Sequence, residues 1–140
     1  MPDKQLISTV EFPVRFSEVD SMNIVWHGHY LKYMEEGREN FGRKYGIGYM
    51  EIRNNGYMAP VVKVNCDYKK PLSYPDHVIV ETRYVNSEAA KITYAFRIFR
   101  SSDNELVATG ESVQVFTDMD RQLVLIIPAF FEAWKKEWGF

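Results

Sequence analysis

One segment of this chain is long and regular enough to act as a core helix, and it comes early. Tyr30, Tyr33, Met34, Gly37, Phe41 and Tyr45 recur at three- and four-residue spacing and form an apolar stripe from about Tyr30 to Tyr45. Glu35, Glu36, Glu39 and Arg43 lie mostly off that stripe, with Glu39 four residues before Arg43 as a supportive pair. Gly46 is the expected stop. A single striped helix cannot bury itself, so the rest of the chain must supply the surface that covers it.

Beyond the helix the chain reads mainly as strand. "IGYMEIRNNGY" predicts a short helical turn, and then "VVKVNCDY", "HVIVETRYVN", "KITYAFRIFR" and "LVATGESVQVFT" run as strands separated by turn-forming residues. Gly110, inside the longest of these, is a candidate bulge. "LVLII" is apolar enough for another strand, and Pro128 suits the first residue of a last helix with Phe130, Phe131, Trp134 and Trp138 on its apolar face. Before the helix, Val10, Phe12, Val14 and Phe16 alternate with Glu11 and Arg15 as a half-buried strand, with Pro13 marking an edge or a bulge. The expected architecture is α+β: one domain over residues 1–140, a long helix held in the concave face of a curved antiparallel sheet.

The sheet needs a second cover. Val107, Val113 and Val115 oppose Leu106, Ala108 and Phe116, so apolar residues fall on both faces. Aromatic residues make up 15% of the chain, a heavy load for one small domain, and another subunit is the simplest place to bury the excess. Seventeen basic residues against nineteen acidic ones leave no basic field for nucleic acid. One cysteine, Cys66, excludes an internal disulfide. No apolar run has the length of a membrane span, and "MPDKQLISTVEF" lacks a leader pattern, so a cytoplasmic protein is expected.

The densest chemistry lies in "VDSMNIVWHGHYLKYMEE", residues 19–36. Three readings compete. Asp20, His27 and His29 can be metal ligands, but histidines two apart diverge on a helix, His77 is remote, and no HExxH or cysteine pair supports zinc, so no metal is expected. Asp20 and Asn23 can be turn formers with the histidines as ordinary loop residues. Or Asp20 is a carboxylate set against the start of the helix. Free N–H groups of Trp26, His27 and Gly28 would then polarise a carbonyl oxygen, Gly28 would leave the approach open, and Asp20 would attack or activate water. That combination suits acyl transfer.

"VRFSEVDSMNIVWHGHYLKYMEEGR" resembles the signature of the 4-hydroxybenzoyl-CoA thioesterase-like branch of the hotdog-fold acyl-CoA thioesterases. The matching positions are Phe16, Asp20, Val25, Trp26, His27, Tyr30, Glu35 and Arg38. "VNCDYKKPLSYPDHVIVETRYV" and "LVATGESVQVFTDMDRQ" are similar to later parts of that family, so the likeness covers nearly the whole chain. The resemblance implies a hotdog: a long central helix wrapped by an antiparallel sheet, paired into homodimers that often form homotetramers, with sites at the dimer interface. It implies hydrolysis of acyl-CoA, or of an acyl-carrier-protein thioester, without a cofactor. It makes Asp20 the catalytic carboxylate, as nucleophile or general base, and the His27 N–H the oxyanion donor, with the His27 side chain helping to orient thioester or water.

Two positions depart from the pattern. Asn23 replaces a frequent Gly, and Asn tolerates left-handed dihedrals. His29 stands where Asn is common. The expected substrate-binding positions are Val25, Trp26, Gly28, Tyr30, Lys69 and Lys70. The lysines would meet CoA phosphates together with Arg100 or Lys63; alternatively they are a solvated charge run. Trp26, Tyr33, Met34, Met50 and Tyr57 can line an acyl pocket or simply pack the core. Glu35 can be a second acid, although pairing with Arg38 or a sheet residue is the expectation, and Cys66 reads as inert. Two other functions remain open: a 3-hydroxyacyl-thioester dehydratase using His27 or His29 with Glu35, and a non-catalytic acyl-thioester binding protein.

Overall fold

A computed structural model describes residues 5–140; residues 1–4, where the N-terminal segment read above begins, lie outside the described residues. The strands are β1 (Ile7–Pro13), β2 (Val61–Tyr68), β3 (His77–Val85), β4 (Lys91–Arg100), β5 (Glu105–Thr117) and the two-residue β6 (Leu123–Val124). The helices are α1 (His29–Tyr45), α2 (Tyr49–Asn54) and α3 (Ala129–Glu137), and a single 3-10 turn spans Phe16–Glu18. The sheet is antiparallel in the order β1-β3-β4-β5-β2, with β6 paired to the end of β5. Helix α1 packs across β1, β3 and β4, as its stripe demands. Tyr30, Tyr33, Met34, Gly37 and Phe41 are buried along it.

Two glycines let α1 come this close. A Cβ on Gly37 would stand 2.5 Å from Val80 Cγ1 and 2.6 Å from Thr82 Oγ1 of β3. A Cβ on Gly110 would stand 2.3 Å from the Met34 methyl and 2.6 Å from the Asn65 carbonyl oxygen. Gly110 is therefore not a bulge. It pairs in register with Cys66 on one side and Phe96 on the other. Its missing side chain is space that Met34 fills. The register shifts lie elsewhere, between Ile98 and Phe99 against β5 and between Val61 and Lys63 on β2. The first explains why Val107 and Ala108, neighbours in β5, are both fully buried.

The C-terminus of α1 is finished by Gly46 in the left-handed conformation (φ 75°). The Trp134 indole N–H donates to the Tyr45 carbonyl at 2.7 Å, so α3 satisfies a free carbonyl of α1 while burying Phe131 and Trp134. Pro128 precedes the first turn of α3 as its cap rather than lying within it.

Three further expectations need correction. Phe16 is 75% exposed and rests edge-on against Tyr74, because the chain has left β1 by Pro13 and turned. "LVLII" contributes only Leu123–Val124 to the sheet; Leu125 and Ile126 are 81% and 82% exposed, since the next positions along β5, Val115 and Gln114, are already paired with Lys91 and Ile92 of β4. Neither Glu39–Arg43 nor Glu35–Arg38 forms an ion pair among the described residues. No helix of the described residues is long and apolar enough to cross a membrane.

The contact at Gly110 yields a stability prediction. Gly110→Ala should cost about 1–3 kcal/mol, because a backbone carbonyl as well as Met34 stands in the way. Urea unfolding measures this; an unchanged midpoint would mean that α1 has slack against the sheet.

Candidate active site

The segment before α1 is tied down by its own polar groups. The Asp20 N–H donates to the Ile24 carbonyl at 2.9 Å, and the Asn23 N–H donates to the Asp20 carbonyl at 3.0 Å. Asp20 Oδ1 accepts from the Met22 N–H at 2.8 Å and the Ile24 N–H at 3.4 Å. Such self-bonding is what favours Asp in turns. It uses one carboxylate oxygen. Oδ2 has no hydrogen-bond partner among the described residues. Asn23 sits at φ 58°, the left-handed conformation the tight turn requires. Its amide does what glycine could not: Nδ2 donates to the Tyr74 carbonyl, and Oδ1 accepts the Tyr74 N–H, both at 3.3 Å. Asn23 thereby stitches the Asp20 turn to the loop beyond Lys69 and Lys70.

Glu18, two residues before Asp20, was not singled out by the sequence and proves central. It is buried, and its Oε1 accepts from the Arg15 N–H at 2.8 Å and the Tyr33 hydroxyl at 3.0 Å. Its carbonyl accepts the Trp26 N–H at 2.9 Å. One residue thus fastens the start of the Asp20 loop to α1 through Tyr33 and to the far end of the loop through Trp26. Burial, reinforced by the Glu18 hydrogen bond and charge, holds the Tyr33 phenol well above its ordinary pKa, so Tyr33 stays a donor. The sequence signal that existed was an acidic residue three after Arg15 and one helical approach away from a tyrosine on the buried stripe.

At the helix start, the sequence expectation holds in part. The Trp26 N–H is taken by Glu18, so it cannot serve an incoming oxygen. The N–H groups of His27 and Gly28 have no hydrogen-bond partner among the described residues. Those of His29 and Tyr30 donate to Trp26 and His27 carbonyls at 3.0 and 3.4 Å. The space on the Cβ side of Gly28 is not open: the Trp26 ring lies there, 2.1 Å from where a Cβ would stand. Gly28 thus makes room for the indole. His27 and His29 both pack against that indole, at centroid separations of 4.9 and 5.4 Å, and His29 Nδ1 is buried without a partner. Among the described residues no three His, Cys, Asp or Glu side chains gather as a metal-binding group.

A cavity of about 350 Å³ collects Asp20, Val25, His27, Tyr30, Tyr68, Lys69 and Lys70. Val25 and Tyr30 are buried walls; burial raises the Tyr30 phenol to about 12. The Tyr68 hydroxyl donates to the His27 carbonyl at 2.7 Å, linking the end of β2 to the helix start. The N–H groups of Lys69 and Lys70 both donate to the Val107 carbonyl, at the β5 bulge. Of the predicted positions, Asp20, Val25, His27, Tyr30, Lys69 and Lys70 therefore come together, while Trp26 and Gly28 stand beside them as support. Arg100 is engaged instead with Asp103 and the Pro71 carbonyl. Met50 is exposed, and Glu35 lines a different groove, away from His27 and His29. Cys66 is half-buried, and burial raises its thiol.

A second cavity, about 580 Å³, opens between the middle of α1, α2 and the starts of β2 and β4. Tyr57 lines it, as do Ile52, Ile92 and Pro60.

Comparison with known proteins places this geometry in context. YneP of Bacillus subtilis, which carries a provisional acyl-CoA thioesterase name, is 33% identical over 114 residues, covering 81% of this chain and 82% of YneP. The acyl-CoA thioesterase YbgC of Haemophilus influenzae is 28% identical, covering 74% of this chain and 76% of YbgC. Among solved structures, a DHNA-CoA thioesterase from Staphylococcus aureus superposes with a TM-score of 0.83 at 28% identity, over 94% of this chain and 90% of that one. The profile of the thioesterase-like superfamily matches residues 14–135. A long helix wrapped by an antiparallel sheet and a sequence match over most of its length make this chain a member of the thioesterase-like superfamily, with the hotdog fold.

Proposed function

We propose that this chain hydrolyses acyl thioesters, with acyl-CoA as the carrier its relatives' names favour. The observation that carries the reading is a carboxylate oxygen of Asp20 without a partner, in one cavity with His27, whose N–H is also unpaired. The thioester carbonyl oxygen would accept from the N–H groups of His27 and Gly28, where negative charge develops as the carbonyl becomes tetrahedral. Asp20 would act on the carbonyl carbon, as nucleophile or through a water. As nucleophile it forms an acyl–Asp anhydride, expelling the thiolate, and water then cleaves the anhydride. As base it takes a proton from the attacking water. Lys69 and Lys70 stand at the rim, where they would meet phosphate.

The working unit would be a homodimer joined through β2. This strand pairs with β5 on one side only, and Val62, Val64 and Tyr68 are 60%, 41% and 50% exposed on it. An open edge of this kind is a template for another strand. Antiparallel pairing of two β2 strands would continue the sheet and keep both α1 helices on one face. It would also set the Val61 end of one copy against the Tyr68 end of the other. Higher assembly into a homotetramer would use the remaining exposed surface.

Three outcomes test this reading. Asp20→Asn should retain fold and mass and lose about 10²–10⁴-fold in thiol release, measured across short, long, branched and aromatic acyl-CoAs and acyl-carrier-protein thioesters; unchanged turnover would sink it. Glu18→Ala should lower kcat about 10²-fold by loosening the Asp20 loop, whereas Glu18→Gln, which keeps an acceptor for Arg15 and Tyr33, should keep most activity. Equal losses in the two variants would show that the charge matters and not the tether. Val64→Lys should shift the species seen by light scattering toward the 16.4 kDa single chain, and activity should fall with dimer content.

A further inference from the structure

The 580 Å³ cavity holds a cation that its surroundings do not explain. Its walls are mostly apolar, with Ile52, Tyr57 and Ile92 among them, yet Arg38 lines it half-buried. Arg38 makes no hydrogen bond or ion pair among the described residues. A guanidinium partly withdrawn from water and left unpaired is costly unless something else completes it. Tyr94 lines the same cavity at 1% exposure, and its hydroxyl also lacks a hydrogen-bond partner among the described residues. Burial raises that phenol's pKa, with the Arg38 charge acting the other way, so the two groups are electrostatic neighbours and Tyr94 remains a proton donor.

The cavity also holds one carboxylate, Glu39, which makes no hydrogen bond or ion pair among the described residues. Glu39 Oε1 lies 3.2 Å from where a Cβ on Gly48 would stand, at the start of α2. Gln114 is buried and spends its amide N–H on the Ala59 carbonyl at 2.7 Å. Arg121 adds a second cation at the cavity wall. The donors without a partner include both guanidinium groups and the Tyr94 phenol, and the charge of the two arginines exceeds that of Glu39. An arginine fork and a nearby hydroxyl suit a carboxylate.

We propose that this cavity receives the far end of the acyl group and selects acyl thioesters that carry a second, terminal carboxylate, held by Arg38 with Tyr94. The proposal rests on the thioester-hydrolysis reading and on pairing through β2. Within one copy Arg38 lies about 15 Å beyond Gly28 along α1, with Met34, packed onto Gly110, between them on the helix. Between paired copies the route is short. Ala59, Pro60 and Val61 line the cavity at the start of β2, while Tyr68, at the end of the strand, lines the other cavity with Lys69 and Asp20; antiparallel pairing would set the first end beside the second end of the other copy. The thioester carbonyl would lie at Asp20 of one copy and the acidic tail at Arg38 of the second.

The test compares kcat/KM for three six-carbon substrates, adipoyl-CoA, 6-hydroxyhexanoyl-CoA and hexanoyl-CoA, with purified wild-type dimer, Arg38→Met, Arg38→Lys and Tyr94→Phe. Wild type should favour adipoyl-CoA over both others by about tenfold or more, because loss of the paired group leaves buried donors unmet. Arg38→Met should abolish that ratio, Arg38→Lys should restore part of it, and Tyr94→Phe should reduce it. A ratio unchanged in Arg38→Met, a general loss on all three substrates, or a wild-type preference for the hydroxylated or plain chain would overturn the assignment. Asp20-dependent hydrolysis without an adipoyl preference would overturn this inference alone; failure to release thiol from any substrate in the wider panel would overturn the hydrolysis reading with it.

Discussion

Everything in this molecule is hung from the close seating of α1 on the sheet. Gly37 and Gly110 have no side chains because the helix and Met34 occupy that space, and the seating fixes where the helix begins as well as where it lies. A helix start is useful for catalysis only if its N–H groups point at a fixed place. Here the start is held by its own packing and by the Tyr68 hydroxyl on the His27 carbonyl, so β2 helps to aim the groups that would face a substrate. Losing a few tenths of an ångström at Gly110 would therefore be felt in both stability and geometry.

The Asp20 loop is organised against that fixed start by short polar tethers rather than by packing. Glu18 joins it to Tyr33 and Trp26, and Asn23 joins it to Tyr74. Each tether is a modest interaction alone. Together they leave one oxygen of Asp20 without a bond while the rest of the turn is satisfied, which is the condition a nucleophile or base needs.

The parts legible in the sequence were those written in local periodicity. The α1 stripe foretold the helix to within one residue, and the alternating runs foretold β2 to β5, because a buried face repeats at the period of its element. What could not be read was whatever depends on a distant neighbour. Gly110 resembles a bulge until Met34 is known to lie over it. Leu125 and Ile126 look like strand until β4 is seen to occupy the stretch of β5 they would need. Glu39 and Arg43 have the spacing of a pair, yet in the folded chain Glu39 turns toward Gly48. For the site, Asp20 and His27 stood out as chemistry, and they do share a cavity. Glu18 did not, since its role appears only when Tyr33 comes round the helix to meet it. Trp26 was read as a possible wall and is better described as a cover for Gly28 and a platform between two histidines.

The two cavities put different demands on the same helix. Near its start, α1 offers N–H groups toward Asp20; in its middle, it offers Arg38 to a cavity whose one carboxylate, Glu39, is outnumbered by Arg38 and Arg121. A single copy keeps these apart by the length of almost three turns and by the packed Met34. The proposed pairing of β2 with its own copy would convert that separation into proximity, because antiparallel pairing would exchange the two ends of the strand. Fold, assembly and selectivity would then depend on one strand. On that proposal β2 is largely exposed in the single chain for want of a second β2, and the acyl group would be gripped by one copy while it is cut by the other.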